Sequence, residues 1–325
     1  MVEELTKKDR YIKLCNERPD IPLFMQFWWM DAVCGINKWD VFIFEKEKKI
    51  AAVWVYHFVK KLGFKIIIQP QLTQMNGIWI NRPNNISKNE MISFENEALL
   101  NLLLQFHKKK ISYFDQNFHC SFTNWLPFYW EGYEQTTRYT YQITDISNPN
   151  KCYHEFKASK KSHINKAKKS ISIDFELSGE EFYTNLQQNL KVLGHKVYYS
   201  KELFMRIYNA SKLRNQSCII SAFDNQKRLH AALFIVWDEN CAYNLISTIN
   251  PEFRSSGATS LLFFEAIKHM SSKTKIFDFE GSMSKNIEKS FREFGAVQVP
   301  YFQIKKFNSI YFKLLLYSKK WIYSR

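Results

Sequence analysis

The chain has 325 residues, 46% of them hydrophobic and 17% aromatic, which supplies sizeable cores and excludes wholesale disorder. That length predicts two domains of about 150 residues each. The formal charge of +15 favours an acidic partner such as a nucleotide, a nucleic acid, an anionic glycan or a membrane surface, while the dominance of lysine over arginine argues against base-specific readout. The first ten residues mix both charge signs without an apolar stretch, and no apolar window reaches the roughly 20 residues of a membrane span, so a soluble cytoplasmic protein is expected. Six scattered cysteines without a C-x-x-C pair read as reduced, buried thiols, and eight histidines without H-x-x-H or H-E-x-x-H give no reason to expect a metal.

In chain order, residues 21–36 read as a buried helix that starts after Pro22 and stops at Gly35. Trp39 to Phe44 and Ile50 to Val59 are apolar runs joined by a charged turn, which is a hairpin signature. A strand at Phe64 to Gln69, a long amphipathic helix at Met91 to Lys110, and strands at Tyr113 to Phe118 and Tyr139 to Ile143 complete an α+β unit. Asn148-Pro149-Asn150 marks the expected boundary, giving domains 1–148 and 149–308. The second half opens with a lysine-loaded helix at 156–170 and a strand at 171–177. Helices at 180–193 and 200–214 follow, then a hairpin of 218–223 with 229–237. The similar order of hairpin, strand and helix in the two halves suggests a duplicated architecture.

Between Cys241 and Tyr301 the pattern is strand, glycine turn, helix, acidic strand, second helix and final strand. The turn Arg254-Ser255-Ser256-Gly257-Ala258-Thr259 feeds a helix start, where backbone N–H groups lack intrahelical partners and attract anions, phosphates above all. An ordinary turn between a strand and a helix uses the same residue types. Asp278 and Glu280 are two apart, which predicts that both point to one sheet face while Phe277 and Phe279 point to the other.

The segment R-x-x-G-A-T with its flanking strands and helices resembles the acyl-CoA N-acyltransferase fold called GNAT. Ser159-Lys-Lys-Ser-His-Ile-Asn-Lys-Ala-Lys-Lys-Ser170 is similar to the basic helix of the FemAB peptidoglycan aminoacyltransferases and their acetyltransferase relatives. Phe277 to Met283 with Ile287 to Ala296 resembles their strand and final helix, and residues 24–36 with Gln69 to Thr73 resemble their N-terminal half. The resemblance implies a fold of α+β class: two tandem GNAT-like domains with mixed, mostly antiparallel sheets flanked by helices, the first completed by a C-terminal helix at 309–325. It also implies an acyltransferase that takes acyl-CoA, such as acetyl-CoA, as donor and an amine on an acidic, cell-envelope or polysaccharide precursor as acceptor. Aminoacyl-tRNA is the alternative donor. Two departures stand out: the coiled-coil arm of the long Fem enzymes is absent, and Thr259 occupies the position of the last small residue of the GNAT turn.

On this reading Arg254 to Thr259 hold the donor's phosphates and Glu280, with Asp278 beside it, takes the proton of the amine. A strand-end carboxylate that caps the next helix is the competing reading of Glu280. Tyr301 is a candidate acid for the departing thiolate, against simple packing. Lys305 resembles a position where Fem enzymes place a lysine near the reacting ester. Lys161 and Lys166 guide an anionic acceptor or tRNA, or else belong to a solvated helix face. The tail 310–323 has the amphipathic, basic pattern of membrane-surface helices, with domain packing as the first expectation. A non-catalytic polyanion-binding module is the reading from outside the enzyme class.

Overall fold

A computed structural model of the chain describes residues 5–281 and 283–323. It divides into two compact units. One holds the residues up to Arg138 together with those from Pro300 onward, and the other spans Tyr139–Val299.

The first unit begins with α1 (Lys7–Glu17), started by a capping box of Thr6 and Asp9 that the sequence reading missed. The apolar stretch expected as one helix at 21–36 is broken at Gln26, into a 3-10 turn (Leu23–Met25) and α2 (Phe27–Cys34). Gly35, with φ of +89°, ends α2. Strands β1 (Trp39–Lys46) and β2 (Lys49–Lys61) form the expected hairpin, Trp39 facing His57. The short β4 (Gly77–Ile80) also pairs with β2, while β3 (Phe64–Ile68) continues the sheet. Helix α3 (Lys88–His107) then crosses over to β5 (Tyr113–Asn117), which runs parallel to β3 as crossovers require. A one-turn helix α4 (Leu126–Trp130) precedes β6 (Glu134–Ile143), whose strand carries the chain across the division at 138/139. The core here is aromatic: Trp54 stacks on Phe106 at 5.2 Å and meets Phe114, Phe118 and Phe128 edge-on.

In the second unit, α5 (Pro149–Glu155), α6 (Ala158–Ala167), β7 (Ile171–Asp174), α7 (Gly179–Val192) and α8 (Lys201–Lys212) come first. The hairpin β8 (Ser217–Asp224) and β9 (Leu229–Trp237) follows, then β10 (Cys241–Ile249), α9 (Ala258–Met270), β11 (Ile276–Asp278) and α10 (Lys285–Arg292). The strand order is β6-β11-β10-β9-β8-β7. Here β11 is parallel to β10 and antiparallel to the end of β6, with Asp278 facing Gln142. Nine of the thirteen residues of α9 are buried, so this crossover helix is the centre of the second core.

Two expectations change. Asn148 is the N-cap of α5, accepting the N–H of Lys151, so it starts a helix inside the second unit. The division falls instead at 138/139, within a strand that has no composition shift to announce it. The last strand, β12 (Val297–Phe307), pairs with β5 from Gln303 to Phe307, and residues from Pro300 belong to the first unit with the C-terminal helix α11 (Ile310–Tyr323). Tyr301 and Lys305 therefore lie in the first unit.

Candidate active site in the second unit

The six residues expected at the donor turn form a continuous feature between β10 and α9. Asn250 accepts the N–H of Glu252 and starts a 3-10 turn (Pro251–Ser256), after which Gly257 is left-handed at φ +81°. Gly257 occupies the N-cap position of α9 and has no side chain with which to cap it. The N–H groups beyond that of Ala258, and the positive end of the helix dipole, thus face forward without the usual N-cap hydroxyl or carboxylate. Ser256 Oγ accepts the N–H of Ala258 at 3.2 Å, Arg254 and Ser255 are exposed, and Thr259 is half-buried.

Glycine is needed at 257 for a second reason. A Cβ there would lie 2.3 Å from the carbonyl oxygen of His163, in the middle of α6. The basic helix is thereby packed backbone to backbone against the donor turn, and Lys166 Nζ donates to the carbonyl of Ser255 at 2.8 Å. Lys161 Nζ donates to the carbonyl of His154. Both lysines expected to meet substrate thus bind backbone carbonyls of their own unit, and Lys166 braces the turn directly.

The acidic pair departs from the expected geometry. Strand β11 ends at Asp278, and Glu280 is left-handed at φ +54°, a costly conformation for a side chain of its size. The two carboxylates therefore do not share a pleated strand face. Asp278 is fully buried and saturated: it accepts from Thr140 Oγ1 at 2.5 Å, Gln142 Nε2 at 2.8 Å and the N–H of Glu280 at 2.7 Å. Thr140 and Gln142 are the polar residues on one face of β6, opposite Tyr141 and Ile143, which enter the core. Burial pushes the Asp278 carboxyl up to about 6, against the three hydrogen bonds that favour its charged form. The Asp278 bond to the N–H of Glu280 holds the left-handed turn. Gly281 completes it, since a Cβ there would lie 1.9 Å from the carbonyl oxygen of Tyr139.

Glu280 itself is presented, not tied down. Its Oε1 is out of water and has no hydrogen-bond partner among the described residues. Burial, and then the charge of Asp278, hold its carboxyl well above the ordinary range. Such a group is a candidate acid or base because its environment does not quench it. Tyr198, whose ring is mostly exposed, senses it: desolvation and the Glu280 charge raise the phenol above its usual value. Thr140, Gln142 and Tyr198 were not among the residues expected at the site. The available signal was the alternation in Tyr139-Thr-Tyr-Gln-Ile143, where an otherwise apolar strand carries two polar residues on one side.

Tyr301 is buried on β12 and Lys305 Nζ lies 4.0 Å from Asp115 Oδ2, both within the first unit. Among the described residues no three His, Cys, Asp or Glu side chains gather as metal ligands.

The profile of the acetyltransferase (GNAT) domain matches residues 161–282, a span that begins in α6 and takes in the donor turn, α9 and the acidic pair. Among solved structures, the crystal structure of FemX resembles the chain with a TM-score of 0.66 at 13% identity, covering 93% of this chain and 97% of its own. A conserved protein of unknown function from Bacteroides thetaiotaomicron follows with a TM-score of 0.57 at 10% identity, covering 89% and 96%. The tandem GNAT protein of the clavulanic acid biosynthesis pathway gives 0.50 at 7% identity, covering 82% of each chain. No curated protein matches the sequence.

Proposed function

We propose that the chain, which matches a GNAT acetyltransferase domain at 161–282 and resembles FemX in fold, is an acyltransferase that moves an acyl group from acyl-CoA to an amine on an acidic acceptor such as a cell-envelope precursor. The observation that carries this reading is the uncapped start of α9. Gly257 brings no capping side chain, so beyond the Ala258 N–H held by Ser256 the helix start is open beside a basic helix, a setting suited to the pyrophosphate of CoA. In this scheme Glu280 removes the proton from the acceptor's ammonium, and the freed amine attacks the thioester carbonyl. The tetrahedral intermediate then collapses to an amide with loss of the thiolate. Tyr198, next to Glu280, donates to the departing sulfur, the role expected of Tyr301. Asp278 is a positioning residue: it holds the backbone that aims Glu280 and does not touch substrate.

Aminoacyl-tRNA is the second donor supported by an observation, since Lys168 and Lys169 are exposed at the end of α6, the helix that packs on the turn through His163. Measuring thiol release from short and long acyl-CoAs with amine acceptors separates the two. Release with at least one acyl-CoA is the expected result. No release and no CoA binding, together with salt-sensitive tRNA binding, would replace the CoA reading with the tRNA one.

A further inference from the structure

Helix α11 is apolar on two opposite sides. Phe312, 1% exposed, packs its ring against Phe64 at 5.2 Å and Tyr113 at 5.5 Å, with Leu316 one turn on, and this side docks on the first unit. The other side presents Ile310, Tyr311 and Leu314, each more than half exposed and at the spacing of one helical stripe, with Tyr317 at its margin, its ring stacked on Phe307 at 6.4 Å. Leu62, 61% exposed at the tip of the β2–β3 hairpin, adds to the apolar surface of this region. Large contiguous apolar surface on one element marks a binding face.

Its surroundings define the partner. Three segments are tied together there: the N–H groups of Asn308 and Ser309 donate to the carbonyl of Ser112, and Ser112 N–H donates to the carbonyl of Lys65. Residues 57–65, 107–112 and 309–323 contain nine lysines and no Asp or Glu. Lys60, Lys61, Lys108 and Lys110 are exposed and have no ion pair among the described residues, whereas Lys109 pairs with Asp40 at 3.5 Å. Between the first two of these segments, a cleft of about 190 Å³ is lined by Tyr56, Phe58, Val59 and Ile111, with Lys60, Lys65 and Lys109 and the single carboxylate of Asp40 around it. No described helix is long and apolar enough to cross a membrane.

We propose that the first unit docks on an anionic membrane surface, with the outer stripe of α11 and Leu62 entering the interface and the lysine clusters meeting lipid phosphates. Tyrosine and leucine flanked by lysine suit the boundary between headgroups and acyl chains, and the charge supplies the preference for anionic lipid. This docking stands on the first unit alone and does not depend on the reaction assigned to the second.

The test is co-sedimentation of the full chain with phosphatidylcholine vesicles, with and without phosphatidylglycerol. Binding is expected only where phosphatidylglycerol is present, weakening as salt rises. The double variant Tyr311→Ser/Leu314→Ser should lose at least about 10-fold in vesicle affinity at an unchanged circular dichroism spectrum. Lys60→Glu/Lys61→Glu should weaken binding through charge alone. Equal binding to neutral vesicles, or no binding to either kind, overturns the proposal. So does a vesicle-free dimer that the apolar variant dissolves, since the stripe would then be covered by a second copy. Retained vesicle binding in both variants would overturn it as well.

Discussion

The two units repeat one order: hairpin, third strand, crossover helix, and a strand parallel to the third. They finish it in opposite ways. In the first unit the crossover helix α3 is closed by a capping box, in which Ser87 Oγ accepts the N–H of Glu90 and Glu90 Oε2 accepts the N–H of Ser87. In the second unit the crossover helix α9 starts at a left-handed glycine with no side-chain cap. On β5 the buried Gln116 is saturated by Trp54, Val55 and Asn76, whereas just past β11 the buried Glu280 Oε1 has no partner among the described residues. A shared scaffold becomes a site where its polar groups are left unsatisfied, and a structural support where they are filled.

That contrast breaks if the unsatisfied groups prove idle. Glu280→Gln is the severest test: kcat should fall about 10²- to 10⁴-fold with the melting temperature preserved, and near-normal turnover would remove Glu280 from the chemistry. The wild-type rate should also follow the ionisation of this carboxyl. Its raised pKa keeps it protonated and inactive as a base at low pH, so kcat/KM should climb with pH through a midpoint above the usual carboxylate range. A pH–rate profile of the Gln variant without that limb checks the assignment.

Gly281→Ala comes next. The new methyl would meet the backbone of Tyr139 and displace Glu280, and a shift of an ångström at the reacting group costs about 100-fold in kcat. Steady-state kinetics at saturating donor measure it. Asp278 offers a subtler effect on stability. Its carboxyl binds its proton more tightly in the folded chain, at about 6 against an ordinary 3.8, so the folded state holds more protons than the unfolded one across that window. Stability should therefore be highest below pH 4 as far as this group is concerned, and decline as pH rises through 6, by about 3 kcal/mol for an isolated shift of this size. Denaturant melts of the wild type and Asp278→Asn across this range isolate the effect, and identical slopes would contradict it. At the small end, Ser87→Ala should cost about 1 kcal/mol of stability with kcat and donor KM unchanged, because its helix end is structural.

The sequence made parts of this legible for physical reasons. Gly257 and the turn around it stood out because a left-handed N-cap against a neighbouring helix leaves little choice of residue, and the hairpins showed through period and turn chemistry. The clamp on Asp278 did not, because Thr140 and Gln142 lie more than 130 residues away and meet it only through the β6–β11 pairing. The domain division was hidden because it falls inside a continuous strand. The carbonyl contacts of Lys161 and Lys166 were not visible, because a lysine on a helix looks alike in sequence whether it reaches for substrate or for a carbonyl. Tyr301 and Lys305 were drawn into the second domain by adjacency in the chain, while β12 pairs with β5 of the first unit.

On the proposed function one unit, not both, holds the donor, and it does so at Gly257. Calorimetric titration of CoA into the wild type, Gly257→Ala and Ser87→Gly tests this most directly. One CoA per chain is expected in the wild type, with loss of that binding in Gly257→Ala and unaltered stoichiometry in Ser87→Gly. Two equivalents of CoA per wild-type chain, or binding that survives in a folded Gly257→Ala variant, would contradict it.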